Sequence, residues 1–187
     1  MRYPTEPQGL STYDFLMEKV LAMTASNVGQ EQVEQLMAII AYHETGPDQR
    51  NLPEAEQVRG PGRGLYQYEL QPSAEYPKAS GAGRTAMNNL LTAVGSYDNL
   101  PIWAKKYFDI DNDSRYPNPS GDVDFSKLTE GQQKELFLAD KLMDVNVKLS
   151  DIGVESDSLW WQKYHHKGGG DIAKFDSSRA SYLNNRR

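Results

Sequence analysis

The chain has 187 residues, of which 25% are charged and 38% hydrophobic; it has no cysteine and a net charge of −6. That length fits one domain, or one domain with an extension, and can bury a sizeable core. The composition excludes disulfides and thiolate metal sites, offers no apolar run near the ~20 residues that span a bilayer, and lacks the basic excess usual in nucleic-acid binders.

Residues 1–12 are polar, carry Pro4 and Pro7, and read as an irregular N-terminal arm. No hydrophobic secretory segment is visible there, so action outside the cytoplasm would need another route. Ser11 to Asp14 has the character of a helix cap, followed by Phe15, Leu16, Val20, Leu21 and Met23 at helical spacing. Asn27-Val28-Gly29 stops that helix. From Gln30 to His43 a second helix is predicted, carrying Val33, Leu36, Met37, Ile39, Ile40 and Tyr42 with no internal glycine or proline. Gly46-Pro47 ends it, because proline biases the residue before it away from helix.

Residues 46–84 are dense in glycine and proline, too long for an ordinary loop, and include Tyr66, Tyr68 and Tyr76. Such loops inside compact domains are commonly functional. A small irregular sheet is expected near residues 54–70. Helices are predicted over Thr85–Val94 and Ile102–Phe108, the latter after Pro101 in a favourable first-turn position. Thr129 to Gln132 has capping-box spacing and opens an amphipathic helix through Leu136, Phe137, Leu142, Met143 and Val147. Trp160–His166 reads as a short aromatic helix, with one of Trp160 and Trp161 inside and the other partly exposed. A last short helix is expected over Ile172–Tyr182. The fold class is mainly α, with an arm at 1–12, a domain over 13–170 and a tail over 171–187.

Two segments carry chemistry. Ala41-Tyr42-His43-Glu44-Thr45-Gly46 closes an apolar helix with a single carboxyl group. Poor solvation of the charged form raises such a group's pKa and keeps it protonated near neutral pH. That proton suits the leaving oxygen of a sugar linkage. About twenty residues on, Gly60 to Glu69 forms a glycine-rich turn. Glycines there let the backbone approach a ligand. Leu65 anchors the loop, Gln67 offers donor and acceptor atoms to sugar hydroxyls, and Tyr66 and Tyr68 offer stacking faces. Alone, each segment reads as an ordinary helix end or surface turn. Their order and spacing give them weight together.

Other patterns carry less. His43-Glu44 cannot begin a zinc-binding His-Glu-x-x-His helix, because Pro47 stands where the second histidine belongs. Adjacent His165 and His166 do not share a helix face. Asp109, Asp111 and Asp113 imitate the start of a calcium loop, but Ser114 and Ser120 replace its glycine and final glutamate. Trp103, Trp160 and Trp161 are candidates to line a saccharide groove or to fill the core.

Glu44-Thr45-Gly46 and Gly64-Leu65-Tyr66-Gln67, in that order, resemble the lysozyme-like superfamily, in particular soluble lytic transglycosylases and phage muramidase domains. Lys163-Tyr164-His165-His166-Lys167-Gly168-Gly169 is loosely similar to a third family element, with histidine where the family has asparagine. The likeness covers roughly residues 30–170. It implies a transglycosylase-type helical domain whose long loop lines the active site. Glu44 would be general acid and then base at the β-1,4 bond between the amino sugars of peptidoglycan. Gly64, Leu65, Gln67 and the backbone around Tyr66 would hold the sugar, and Tyr164 would orient Glu44. No cofactor or metal is implied. A transglycosylase uses the sugar's own 6-hydroxyl as nucleophile; a hydrolytic lysozyme needs a second carboxylate, for which Glu54, Glu56 and Glu69 are candidates, Glu69 first. The acidic charge suits delivery within a virion, with contacts to other virion proteins, or release from the host cytoplasm. The competing expectation is a structural virion protein with a lysozyme-like fold and weak or lost activity.

Overall fold

In the computed structural model the described residues are 10–46, 60–109, 118–119, 123–167 and 169–186. Among them the protein is mainly α, with seven α-helices and two short antiparallel strand pairs. No helix among these residues is long and apolar enough to cross a membrane.

Helix α1, Thr12–Leu21, starts at Ser11, whose hydroxyl accepts from the Asp14 N–H. Thr12 therefore belongs to the helix rather than to an arm, and Met23 lies beyond its end, half exposed. Helix α2, Gln30–Thr45, is the central element. From Leu36 to Tyr42 only Ala38 keeps more than a trace of exposed surface. A helix buried nearly all round needs neighbours on several sides. Strands β1, Gly62–Arg63, and β2, Tyr68–Glu69, follow as a small hairpin pairing Gly62 with Glu69 and Arg63 with Tyr68.

Helix α3 spans Ala82–Val94 and buries Ala86, Met87, Leu90, Ala93 and Val94. Helix α4 spans only Ile102–Lys105. The expected continuation to Phe108 gives way to β3, Phe108–Asp109, which pairs with β4, Asn118–Pro119. Trp103, a candidate for a saccharide groove or for the core, is partly buried against the core and donates its indole N–H to Glu135 at 2.9 Å. The acidic loop beginning at Asp109 falls on residues 110–117, outside the described ones.

Helix α5, Glu130–Met143, packs against both α1 and α3. Its capping box is reciprocal: Thr129 Oγ1 accepts from the Gln132 N–H at 3.3 Å, and Gln132 Oε1 accepts from the Thr129 N–H at 3.0 Å. Thr129→Ala removes one half of that exchange on an exposed helix end. It should cost about 1 kcal/mol, read as a drop of roughly 2–4 °C in melting temperature.

Helix α6, Asp157–Trp160, runs into a π-helical turn over Trp161–His165, closed by the His166 N–H bonding to Trp161 O at 2.9 Å. Helix α7, Ile172–Asn184, packs on α2. One expectation is corrected here. Trp160 and Trp161 are both buried, each at 1% exposure, instead of one in and one out. The last helix expected over Ile172–Tyr182 is present and runs on to Asn184, and it joins the tail to the core through the fully buried Phe175.

Candidate active site

Glu44 leaves the last turn of α2, after the buried Ala41 and Tyr42. The helix is closed behind it by Gly46, whose N–H bonds to Tyr42 O at φ 74°. The Glu44 side chain keeps 13% of its surface exposed. Burial pushes its pKa up from the ordinary glutamate value. The Trp161 hydrogen bond and the charges of His166, Lys174 and Lys141 act in the opposite sense without reversing the shift.

The immediate partner of Glu44 is Trp161, whose Nε1–H donates to Oε1 at 2.7 Å. Trp161 is itself tightly held. Phe175 stacks on it with ring centres 4.8 Å apart, and His43 meets it edge-on at 4.6 Å. Gly170 lies so close that a Cβ there would fall 2.2 Å from the indole ring. His43 is pushed down to about 4 by burial first, then by the charges of Lys174 and His166. It stays neutral near pH 7, with Nδ1 3.0 Å from Ser178 Oγ, and serves packing.

His165 Nε2 lies 3.7 Å from Glu44 Oε1. Burial holds the His165 pKa well below the ordinary histidine value, with Lys141 and His166 adding to it. This is therefore a contact between a carboxyl and a neutral ring rather than an ion pair. His165 Nδ1 is buried without a hydrogen-bond partner among the described residues.

The hairpin supplies the facing wall. Gly64 sits at φ 72°, and the following Leu65 N–H donates to Gln133 Oε1 at 2.7 Å. Leu65 is buried and is an anchor in the core, not a ligand contact. The stacking faces expected from Tyr66 and Tyr68 are turned inward. Tyr66 stacks on Phe137 at 4.3 Å, and Tyr68 stacks on Phe125 at 4.4 Å. The Tyr68 hydroxyl donates to Asp140 at 2.7 Å. Rings of this size add most to stability when buried. What Tyr66 offers a ligand is backbone. Gln67 borders the cleft and folds its Nε2 back onto Gly64 O at 2.8 Å. Glu69 borders the same cleft and accepts the Ser80 N–H at 2.7 Å. Glu54 and Glu56 lie outside the described residues.

Tyr164 does not reach Glu44. Its hydroxyl donates to Asp151, and its ring meets Trp160 edge-on. The side chain bonded to Glu44 is instead Trp161, three residues earlier. Trp161 and His165, four residues apart, share the side of this turn that meets Glu44.

Glu44, Gln67 and Glu69 border one cleft of about 350 Å³, with Asp140, Lys141 and Lys167 among the opposing residues. Lys141 pairs with Asp140 at 2.9 Å, and Asp140 also accepts from Asn89 at 3.0 Å. Among the described residues the non-glycine positions at positive φ are Gln67 at 50° and Lys167 at 49°, and both border this cleft. Backbone strain of that kind tends to be stored at functional sites. A second hollow of about 420 Å³ runs along α2 from Glu31 to Tyr42, bordered also by Tyr13, Lys134 and Tyr182. Its polar groups answer one another: Glu34 accepts from Tyr13 and Gln30, and Lys134 pairs with Glu130. The cleft at Glu44 is the better placed for chemistry.

Sequence reasoning missed Trp161, His165 and Lys141 as neighbours of Glu44. The aromatic cluster was visible, but periodicity does not say which way a π turn points its side chains. Comparison with protein-family models, curated proteins and solved structures finds no match for this chain.

Proposed function

We propose that the protein is a peptidoglycan-cleaving glycosidase of lysozyme-like type, a lytic transglycosylase or a muramidase, acting at the β-1,4 bond between N-acetylmuramic acid and N-acetylglucosamine. The observation that carries this reading is a Glu44 with only 13% of its side chain exposed and its pKa raised by burial, on a cleft bounded by the Gln67–Glu69 hairpin. A carboxylic acid kept protonated beside a groove can protonate the leaving oxygen of a sugar linkage, and once ionised it can act as base. Gln67 and the Tyr66 backbone are the groups that would hold the sugar. Glu69, on the same cleft, is the second carboxyl that would direct water in a hydrolytic route. Glycan strands are the partner; association with other virion proteins, by delivery in a particle, is part of the same proposal.

The test is digestion of purified glycan strands followed by mass analysis of the new ends. Cleavage is expected. Anhydro ends identify the transglycosylase and reducing ends the hydrolase. Strands left intact under conditions where the protein stays folded would overturn the reading.

A further inference from the structure

The polar contacts to the Glu44 carboxyl among the described residues fall on one oxygen. Trp161 Nε1–H donates to Oε1 at 2.7 Å, and His165 Nε2 stands 3.7 Å from that same atom. An indole N–H can only donate, so Oε1 is fixed as an acceptor. In a neutral carboxyl group the carbonyl oxygen accepts better than the hydroxyl oxygen. A two-fold carboxyl is thereby made unequal by a rigid neighbour.

We propose that Trp161 is a positioning residue: its indole N–H holds Oε1 of Glu44 as the acceptor and leaves the labile proton on Oε2, toward the cleft. Its catalytic meaning rests on the glycosidase reading; the assignment of the two oxygens does not. The rigidity needed for the task is built from three elements. Phe175 of α7 stacks on the indole, His43 of α2 braces its edge, and the backbone at Gly170 presses on its outer ring. Trp161 is 1% exposed, so water does not compete for its N–H. A general acid must meet the leaving oxygen at hydrogen-bond distance, and a proton on the wrong oxygen forfeits that geometry.

The groups facing Glu44 come from every element packed against it. They are His43 of α2, Glu69 of the hairpin, Lys141 of α5 with its partner Asp140 and, just past the end of that helix, Asp144, then His165, His166 and Lys167 at and after the π turn, and Lys174 of α7. His166, Lys174 and Lys141 favour the ionised carboxylate, and so does the Trp161 hydrogen bond. Removing that bond while leaving the charges in place isolates its contribution.

Trp161→Phe keeps an aromatic ring between Phe175 and His43 but has no N–H. The Glu44 carboxyl, followed by carbon NMR across pH, is expected to titrate about one pH unit higher in the variant. Glycan cleavage should fall about tenfold, and its alkaline limb should move upward with the NMR midpoint. A purely structural role would lower activity without moving either midpoint. An unchanged or lower Glu44 midpoint in a folded variant overturns the proposal. In the wild-type protein the Trp161 indole proton should shift with the Glu44 midpoint, and in Glu44→Gln it should stay flat. An indole signal indifferent to the Glu44 titration in wild type also overturns it, and needs no variant to fold. Both NMR readings are independent of glycan cleavage. Inactive wild-type protein with the expected titrations would sink the glycosidase reading alone.

Discussion

Glu44→Gln is expected to lower glycan cleavage by about 10²–10⁴-fold, the range over which a positioned acid or base contributes. Glutamine has nearly the same shape, and its Oε1 can still accept the Trp161 N–H, so the wall of the cleft stays in place. It carries no transferable proton. Wild-type activity should decline as pH rises through the elevated Glu44 pKa, whereas the residual activity of the variant should show no such limb. Stability should move the other way. Folding raises the Glu44 pKa, chiefly by burial. Above the folded pKa the native state therefore bears a buried charge that the unfolded chain leaves in water. Below the unfolded value of about 4.3 both states are protonated and the difference vanishes. Glu44→Gln should accordingly melt higher than wild type at pH 8, with the gap closing as pH falls toward about 4. His43 and His165, both held neutral by burial, destabilise the fold as pH drops, but they are common to the two proteins and cancel in the comparison. Equal melting temperatures at pH 8, or glycan cleavage undiminished in the variant, would remove the case for an acid whose pKa is raised by burial.

What was legible in the sequence was local. The second helix shows because its apolar spacing is uninterrupted from Gln30 onward, and its end shows because Gly46-Pro47 cannot continue it. The capping box at Thr129 is a three-residue signal with a hydrogen-bond reason. Glu44 was legible for the same cause, being the one carboxyl closing an apolar helix. The rest depends on contacts distant in sequence. Trp161 lies 117 residues from the carboxylate it bonds, and no periodicity encodes that distance. In a regular α-helix neighbours point about 100° apart, which made one buried and one exposed tryptophan the natural expectation. The π turn and the packing of α7 cover both faces instead. Tyr66 and Tyr68 illustrate the same limit. A tyrosine in a glycine-rich turn can face a ligand or the core, and only Phe125 and Phe137, from later elements, decide the matter.

The cleft thus has one wall prepared by local sequence and another assembled by tertiary packing. α2 and the hairpin are adjacent in the chain, and between them bring Glu44, Gln67 and Glu69 to a shared hollow. α5 and the π turn close it with Lys141 and His165. Burial between the two pushes the Glu44 pKa upward, while Lys141 and the Trp161 hydrogen bond on the second side act against that shift. The acid's chemistry is therefore a property of the packed fold more than of the motif that announces it.

Gly64→Ala should be among the most damaging single-methyl additions in the molecule. Gly64 adopts φ 72°, a left-handed conformation that costs a side-chain-bearing residue about 1–2 kcal/mol. The new Cβ would also lie 2.4 Å from Gln133 Oε1 and 2.7 Å from Phe125 Cβ. Neither atom can step aside freely. Gln133 is fully buried, accepting from the Leu65 N–H at 2.7 Å and donating to Leu128 O at 2.9 Å. Phe125 is also fully buried, stacked on Tyr68. Displacing Gln133 strands buried polar groups, at about 1–3 kcal/mol. The total is expected to be about 2–5 kcal/mol, a large share of the roughly 5–15 kcal/mol that holds a domain together. Gly46→Ala supplies the control. Gly46 sits at φ 74° and ψ 167°, a backbone region nearly reserved for glycine, and nothing among the described residues lies within 4 Å of the added Cβ, so only a backbone term of about 1–3 kcal/mol applies. Urea unfolding of both variants compares a backbone cost alone with a backbone cost plus a clash. If Gly64→Ala loses no more stability than Gly46→Ala, the Gln133 clamp is not what fixes the hairpin. If Gly64→Ala is the worse by about 2 kcal/mol or more, the wall carrying Gln67 and Glu69 is held in place by a buried amide on α5, reached through a residue that must have no side chain.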